Sequence, residues 1–218
     1  MIDRVMIVVA AGSSLRFGGD KLMTPVGGLP LVAHAVAAVK DHVDRCVLVV
    51  RMDQIPVLDE LELGVPLVPG GPTRTASEMA GLSVIAEPAR LIGVHDGARP
   101  LVPASLVETL FETAARVGGA VPVLEPGLPL VNRSDLSPVE GAVVAQTPQV
   151  FRGEQLLAAY AAAARIDYEA QDTAEVAQRF GTLDIAAVPG DPGNLKVTRP
   201  GDIEVVRSAL ETSRNEPR

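Results

Sequence analysis

Short continuous apolar runs alternate along the chain with longer stretches whose apolar positions recur at helical spacing. The runs at 5–9, 45–50, 65–68, 91–94, 120–124, 143–146 and 183–188 have the length and branched composition of buried strands. Between them, 31–39, 54–63, 73–87, 105–117, 154–164, 172–180 and 201–210 read as helices, with Pro30 at the start of the first and Gly118-Gly119 ending the fourth. Strands apolar throughout, alternating with helices, predict an α/β fold. Its central sheet is mostly parallel and covered by helices on both faces. From 125 to 141 the pattern lapses into Pro, Gly and polar residues without period, so 125–146 is expected to project from the domain as an arm. The charged tail from Glu211 is expected to fray. No repeat and no long linker divides the 218 residues, which form one domain.

The strand exits carry the chemistry. The first strand ends in Ala10-Ala11-Gly12-Ser13, a turn almost without side-chain bulk, followed by Arg16 and Lys21. Such a turn lets a ligand lie on the backbone and leaves N–H groups free for an anion, while the cations supply charge for phosphates. It is not a Walker loop, because Asp20 precedes Lys21 and Leu22 follows it, and it is not a dinucleotide fingerprint, because Ser14 stands where the second Gly belongs. Asp53, after the second strand, is read as a helix cap in preference to a ribose-binding acid.

At the third junction Gly70-Gly71 precede Arg74 and Ser77. A nucleotide pressed on bare backbone and a plain capped helix explain these residues equally well. Asp96 closes the fourth strand, on the edge where open α/β sheets bind ligands, and is the best metal-ligand candidate. His34 and His42 have no Cys or carboxylate at ligand spacing and are read as structural or solvated.

Composition narrows the partners. A formal net charge of −8 and an aromatic content of 3% disfavour a broad nucleic-acid surface. They do not disfavour a nucleotide, because cations in contact with phosphate outweigh distant charge screened over about 8 Å. With no apolar stretch near 20 residues and a strand beginning within a few residues of Met1, no membrane segment or signal peptide is expected, and the protein is read as cytoplasmic. Cys46, the single cysteine, falls inside an apolar run and is read as a buried thiol.

Five blocks, VAAGSSLRFGGDK, GGPTRTAS, VHDGARP, AQTPQVF and GNLKVTRPGDI, occur in an order that resembles the 2-C-methyl-D-erythritol 4-phosphate cytidylyltransferases over nearly the whole chain. The resemblance implies a Rossmann-like nucleotidyltransferase fold, CTP as substrate, Mg²⁺ as divalent cation, and a homodimer formed through the arm. It implies that Arg16 and Lys21 stabilise the α-phosphate under attack and that Lys196 sits at the reacting phosphates. Ala10, Ala11, Gly12 and Ser13, with Gly70, Gly71, Arg74 and Ser77, would surround the CTP. Asp96 would stand beside Mg²⁺, with Arg99 and Thr147 near the acceptor phosphate.

The chain departs from the family pattern on the acceptor side. Gly127-Leu128-Pro129-Leu130 stands where the family's arm carries Asp-Thr, Val139 stands near its Arg, and a Thr-Asp pair becomes Gln171-Asp172-Thr173. Asp20 replaces the usual Pro before Lys21. Besides the leading reading, these departures admit a cytidylyltransferase for another polyol phosphate such as ribitol 5-phosphate. A purine-using relative of the molybdenum-cofactor nucleotidyltransferases and a catalytically silent nucleotide-binding paralogue are the further alternatives.

Overall fold

The computed structural model describes residues 2–12, 17–85 and 89–215. Its elements, in chain order, are β1 (Ile2–Val9), β2 (Pro25–Val26), β3 (Leu29–Pro30), α1 (Leu31–Lys40), β4 (Arg45–Val50), α2 (Ile55–Asp59), β5 (Leu67–Pro69), α3 (Arg74–Ser83) and β6 (Ala89–Asp96), followed by α4 (Ala104–Val117), β7 (Gly118–Leu124), β8 (Val144–Ala145), β9 (Gln149–Arg152), α5 (Gly153–Ala164), α6 (Thr173–Phe180), β10 (Asp184–Pro189) and α7 (Asp202–Asn215). The main sheet has the order β10-β7-β9-β6-β1-β4-β5, with β8 paired to the end of β7. Every neighbour pair along it is parallel except those made by β8 and β9.

The period-2 geometry of a strand explains why these runs are apolar throughout. From β1, Met6 and Val8 face a core that includes Val36 and Val39 of α1, Leu110 and Phe111 of α4, and Val206 of α7. Val5 and Ile7 face the opposite core with Leu82 of α3, Leu156 and Ala159 of α5, and Val176 of α6. Both faces are covered, so the strands need no polar side.

The structure corrects several expectations. A strand at Gln149–Arg152 lies between β6 and β7 and runs antiparallel to both. At four residues it is too short for periodicity to declare. A hairpin of β2 and β3 turns at Gly27 and Gly28, with φ of 57° and 90°, the left-handed values a two-residue turn of this type demands. Gly118 ends α4 and also opens β7, with φ of 133°. The fourth helix starts after Pro103 with no side-chain cap bond.

Asp53 caps nothing either: it pairs with Arg51 at 3.0 Å. The expected 54–63 helix is limited to α2, and the last helix continues to Asn215 instead of fraying at Glu211. His34 Nε2 meets the Val26 carbonyl and His42 Nδ1 meets Glu108, both structural contacts. Cys46 is buried, and burial pushes its thiol pKa up to about 12.

Candidate functional site

A cavity of about 630 Å³ opens at the carboxyl ends of β1, β4, β5 and β6. These strands end in register with one another. The N–H of Ala10 donates to the Val49 carbonyl at 2.7 Å, that of Gly70 to Val50 at 2.8 Å and that of Gly97 to Val9 at 2.9 Å, so three strand exits form one floor. Val9, Ala10, Ala11 and Gly12 line one side and Gly70, Gly71, Pro72 and Thr73 the other. Two of these glycines are sterically required. A Cβ on Gly70 would fall on the Ala11 methyl, and one on Gly71 would approach the Ala76 methyl to 2.5 Å.

The third junction is a capped helix start whose residues also line the cavity. Thr73 caps α3 by accepting from the Ala76 N–H at 3.1 Å, and Thr73, Arg74 and Ser77 also line the cavity. The Ser77 hydroxyl donates to the Thr73 carbonyl at 2.8 Å.

Charge converges at Asp96. Its Oδ1 accepts from Arg74 Nη1 at 2.6 Å, its Oδ2 lies 2.7 Å from Lys196 Nζ, and Arg99 Nε is 3.8 Å from Oδ2. Burial alone would raise the Asp96 carboxyl pKa. The charges and hydrogen bonds of Arg74 and Lys196 outweigh burial and hold it far below the carboxylate range. Asp96 is therefore an anion fixed between cations, and Arg74, bridging Asp96 and Glu78, is held fully protonated despite its own burial.

Lys196 reaches the cavity on a loop sewn onto the sheet. Gln146 Nε2 donates to the Asp191 carbonyl at 2.8 Å, Asn194 Nδ2 donates to the Thr147 carbonyl at 2.9 Å, and the Val197 N–H donates to Ala98 at 2.9 Å. Lys21, in a 3-10 turn capped by Asp20, crosses from the other wall to donate to the Val197 carbonyl at 2.9 Å. Asp20 accepts from Arg51 Nη2 at 2.8 Å and Gln54 Nε2 at 2.7 Å, which ties that turn to the end of β4.

Behind Asp96 stands a neutral relay. His95 is wholly buried, and burial lowers its pKa to about 4. Its Nε2 contacts the Arg99 carbonyl at 2.9 Å, which can only accept, so Nε2 carries the proton. Nδ1 then accepts from the Thr147 hydroxyl at 3.2 Å, and Thr147 Oγ1 accepts the Asp96 N–H at 2.9 Å. Arg99 is buried as well and donates to the Asn194 carbonyl at 2.7 Å.

The structure thus brings Ala10, Ala11, Gly12, Lys21, Gly70, Gly71, Arg74, Ser77, Asp96 and Lys196 onto one cavity. Arg99 and Thr147 lie beneath its floor instead of on its wall, and Ser13 and Arg16 lie outside the described residues. Sequence reasoning missed Arg51 and Met52, which line the cavity, and Glu78, which holds Arg74 from behind. Arg74 and Glu78 four residues apart on one helix were the available signal.

Asp96 is the only carboxylate lining the cavity among the described residues, and no group of three His, Cys, Asp or Glu gathers there. One fixed carboxylate is not a cage for a resident metal. It does suit Mg²⁺, which is usually held by one or two carboxylates together with substrate phosphates. No described helix is long and apolar enough to cross a membrane.

Comparison with known proteins agrees with this architecture. The family profile described as 2-C-methyl-D-erythritol 4-phosphate cytidylyltransferase matches residues 4–212. A protein of that description from Deinococcus radiodurans is 37% identical over 210 residues, covering 93% of this chain and 87% of the relative. One from Cereibacter sphaeroides is 40% identical over 213 residues, covering 90% and 92%. The crystal structure of the protein of that description from Thermus thermophilus superposes with a TM-score of 0.81 at 32% identity, covering 97% of this chain and 100% of that one. With its strand-end cavity, its charge cluster and a family match that spans nearly all its length, the chain belongs to the 2-C-methyl-D-erythritol 4-phosphate cytidylyltransferase family.

Proposed function

We propose that this enzyme joins CTP and 2-C-methyl-D-erythritol 4-phosphate to give 4-diphosphocytidyl-2-C-methyl-D-erythritol and pyrophosphate, a step of isoprenoid biosynthesis by the non-mevalonate route. The observation that carries the reading is the convergence of Lys21, Arg74 and Lys196 with Asp96 on a cavity whose remaining walls are nearly bare backbone. Ala10, Ala11 and Gly12, with Gly70, Gly71 and Ser77, accommodate the cytidine against nearly bare backbone, and Ser13 is assigned to the same nucleotide. Lys21 and Lys196 face the triphosphate, and Arg16 is assigned to it as well.

An oxygen of the acceptor phosphate attacks the α-phosphorus of CTP in line. The new O–P bond forms as the bond from the α-phosphorus to the bridging α–β oxygen breaks, and that electron pair leaves on pyrophosphate. The attacking phosphate is already ionised near pH 7, so the protein's task is to position it and to neutralise charge on the equatorial oxygens. Lys196, now on Asp96, and Lys21, now on the Val197 carbonyl, both exchange protein oxygens for phosphate oxygens as the nucleotide enters. Mg²⁺ held by Asp96 and the triphosphate would supply further charge neutralisation there.

Arg99 and Thr147 are assigned to the acceptor side, beneath the floor next to Asp96. We assign 125–146 to a homodimer interface, since Leu128, Leu130, Val131 and Leu136 of the arm are exposed in the isolated chain. The reaction is placed in the cytoplasm. The alternative acceptor, ribitol 5-phosphate, rests on the departure at Gly127-Leu128-Pro129-Leu130, which offers no charged or hydroxyl side chain where the family's arm carries Asp-Thr.

Pyrophosphate release with Mg²⁺ tests the reading, with CTP, UTP, ATP and GTP each offered against both acceptors. Turnover with CTP and methylerythritol phosphate alone is expected. Turnover only with ribitol 5-phosphate would transfer the assignment to that acceptor, and CTP binding without turnover on either would favour a silent paralogue. Light scattering at micromolar concentration is expected to give twice the chain mass; a monomer would remove the arm's assignment.

A further inference from the structure

Glu78 is a fully buried carboxylate on α3, away from the cavity surface. Its Oε1 lies 2.9 Å from Arg74 Nε and accepts the Thr173 hydroxyl at 3.0 Å, while its Oε2 accepts the Tyr160 hydroxyl. Thr173 opens α6, whose start is fastened by Gln149: the Gln149 side chain accepts the Ala174 N–H at 2.8 Å and donates to Asp172 at 2.9 Å. Tyr160 belongs to α5. Two helices therefore converge on one carboxylate, which holds one edge of the Arg74 guanidinium while Asp96 holds another.

Stability gives no reason to keep such a group. Its partner Tyr160 belongs to the apolar core that holds Val176, Ala177, Leu82 and Leu156, and at a fully buried position a hydrophobic side chain of similar volume would serve packing at least as well as a buried ion pair. Burial pushes the Glu78 carboxyl pKa up, against the pull of Arg74 and the two hydroxyls. What the carboxylate does supply is order. An arginine side chain has several rotatable bonds, and one gripped from behind presents its remaining donors without losing that freedom when a ligand arrives.

We infer that Glu78, supported by Tyr160 and Thr173, is a positioning residue that preorganises Arg74 for the nucleotide. The inference rests on the assignment of the cavity to CTP, and specifically on Arg74 serving the nucleotide and not the acceptor. When Lys196 leaves Asp96 for the triphosphate, Glu78 keeps Arg74 in place on Asp96 Oδ1.

The test uses full-length Glu78→Gln, Tyr160→Phe and Arg74→Met. The KM for CTP and the KM for the acceptor are measured separately, with CTP binding followed by calorimetry. Glu78→Gln is expected to raise the KM and Kd for CTP roughly tenfold while the acceptor KM stays within about twofold. In the Arg74→Met background the same change is expected to add nothing further. Tyr160→Phe, which removes one hydroxyl and keeps the ring, is expected to raise both CTP constants roughly threefold and serves if Glu78→Gln does not fold.

A merely structural Glu78 would lower the melting temperature or the active fraction and leave both KM values at wild type, and that result overturns the inference. Wild-type CTP constants in Tyr160→Phe also overturn it if Glu78→Gln does not fold. A raised KM for CTP in Arg74→Met with a wild-type value in Glu78→Gln overturns it alone. An unchanged KM for CTP in Arg74→Met overturns the nucleotide role of Arg74 as well.

Discussion

Asp96→Asn separates the electrostatics of the site from its chemistry, because it can be read in the folding of the ligand-free protein. The substitution keeps shape and removes the anion. One of the two carboxylate oxygens becomes an NH₂ group that must face either Arg74, at 2.6 Å, or Lys196, at 2.7 Å. Removing one partner of a buried ion pair typically costs about 3–5 kcal/mol. Two features place Asp96 at the lower end. Arg74 keeps Glu78 as a partner, and the Lys196 side chain, 36% exposed, can turn to water. The expected loss is about 3 kcal/mol, or roughly 6–12 °C in Tm for a domain of this size.

The pH dependence has a fixed sign. The folded pKa of Asp96 lies below its unfolded value, so the unfolded state binds the extra proton and the carboxylate's contribution is complete above the unfolded pKa of about 4. The gap between wild type and Asp96→Asn should therefore be constant from about pH 5 to 7 and shrink as pH falls through 4 and below. Urea denaturation from pH 3 to 7 reads both quantities. A difference under about 0.5 kcal/mol at pH 7, or a gap that widens in acid, would refute the account of Asp96 as an anion stabilised by its neighbours.

Lys21→Ala should lose about 3–4 kcal/mol of transition-state stabilisation, a hundred- to thousandfold in turnover, with Tm within about 3 °C; near-wild-type turnover would remove Lys21 from the mechanism. His95 is neutral when folded with a pKa of about 4, below its unfolded value, so the unfolded state takes up the proton first and stability should fall by about 3 kcal/mol from pH 7 to pH 4. His95→Gln should flatten that part of the profile, and nitrogen NMR should show the His95 imidazole protonated on Nε2 alone at pH 5. In Gly70→Ala the new methyl would collide with Ala11 and displace the first turn, weakening CTP binding at least tenfold and costing about 1–3 kcal/mol of stability; calorimetry and melting curves check both, and unchanged CTP affinity would show that this turn does not form the binding wall.

Much of this was legible because strand burial and strand exits leave direct marks. The run at 45–50 matches β4 residue for residue, and every sequence-predicted cation or glycine of the cavity within the described residues came from a strand exit or from the loop before α7. What stayed hidden depends on long-range pairing. The four residues of β9 carry no period, and their place between β6 and β7 is set by partners more than 25 residues away in sequence. Glu78 reads in sequence as one more polar residue of a helix; only Tyr160 and Thr173, more than 80 residues on, reveal it as buried. Arg99 and Thr147 were identified by motif, and a motif does not say whether a side chain faces the cavity or braces its floor.

The antiparallel strand β9 has a consequence for how the protein is made. On the ribosome β5, β4, β1 and β6 can assemble as a parallel unit from the first hundred residues, but β7, synthesised next, has no neighbour in that unit until β9 emerges to bridge it to β6. Thr147, which receives the Asp96 N–H, arrives with β9, and Lys196, which neutralises the second carboxylate oxygen, arrives later still. A nascent chain interrupted before residue 191 has the strands of the cavity floor but no Lys196 to neutralise Asp96. Among the described residues that line the cavity Lys196 is thus the last to be synthesised, so that a partial product of translation carries the floor without the cation that faces Asp96.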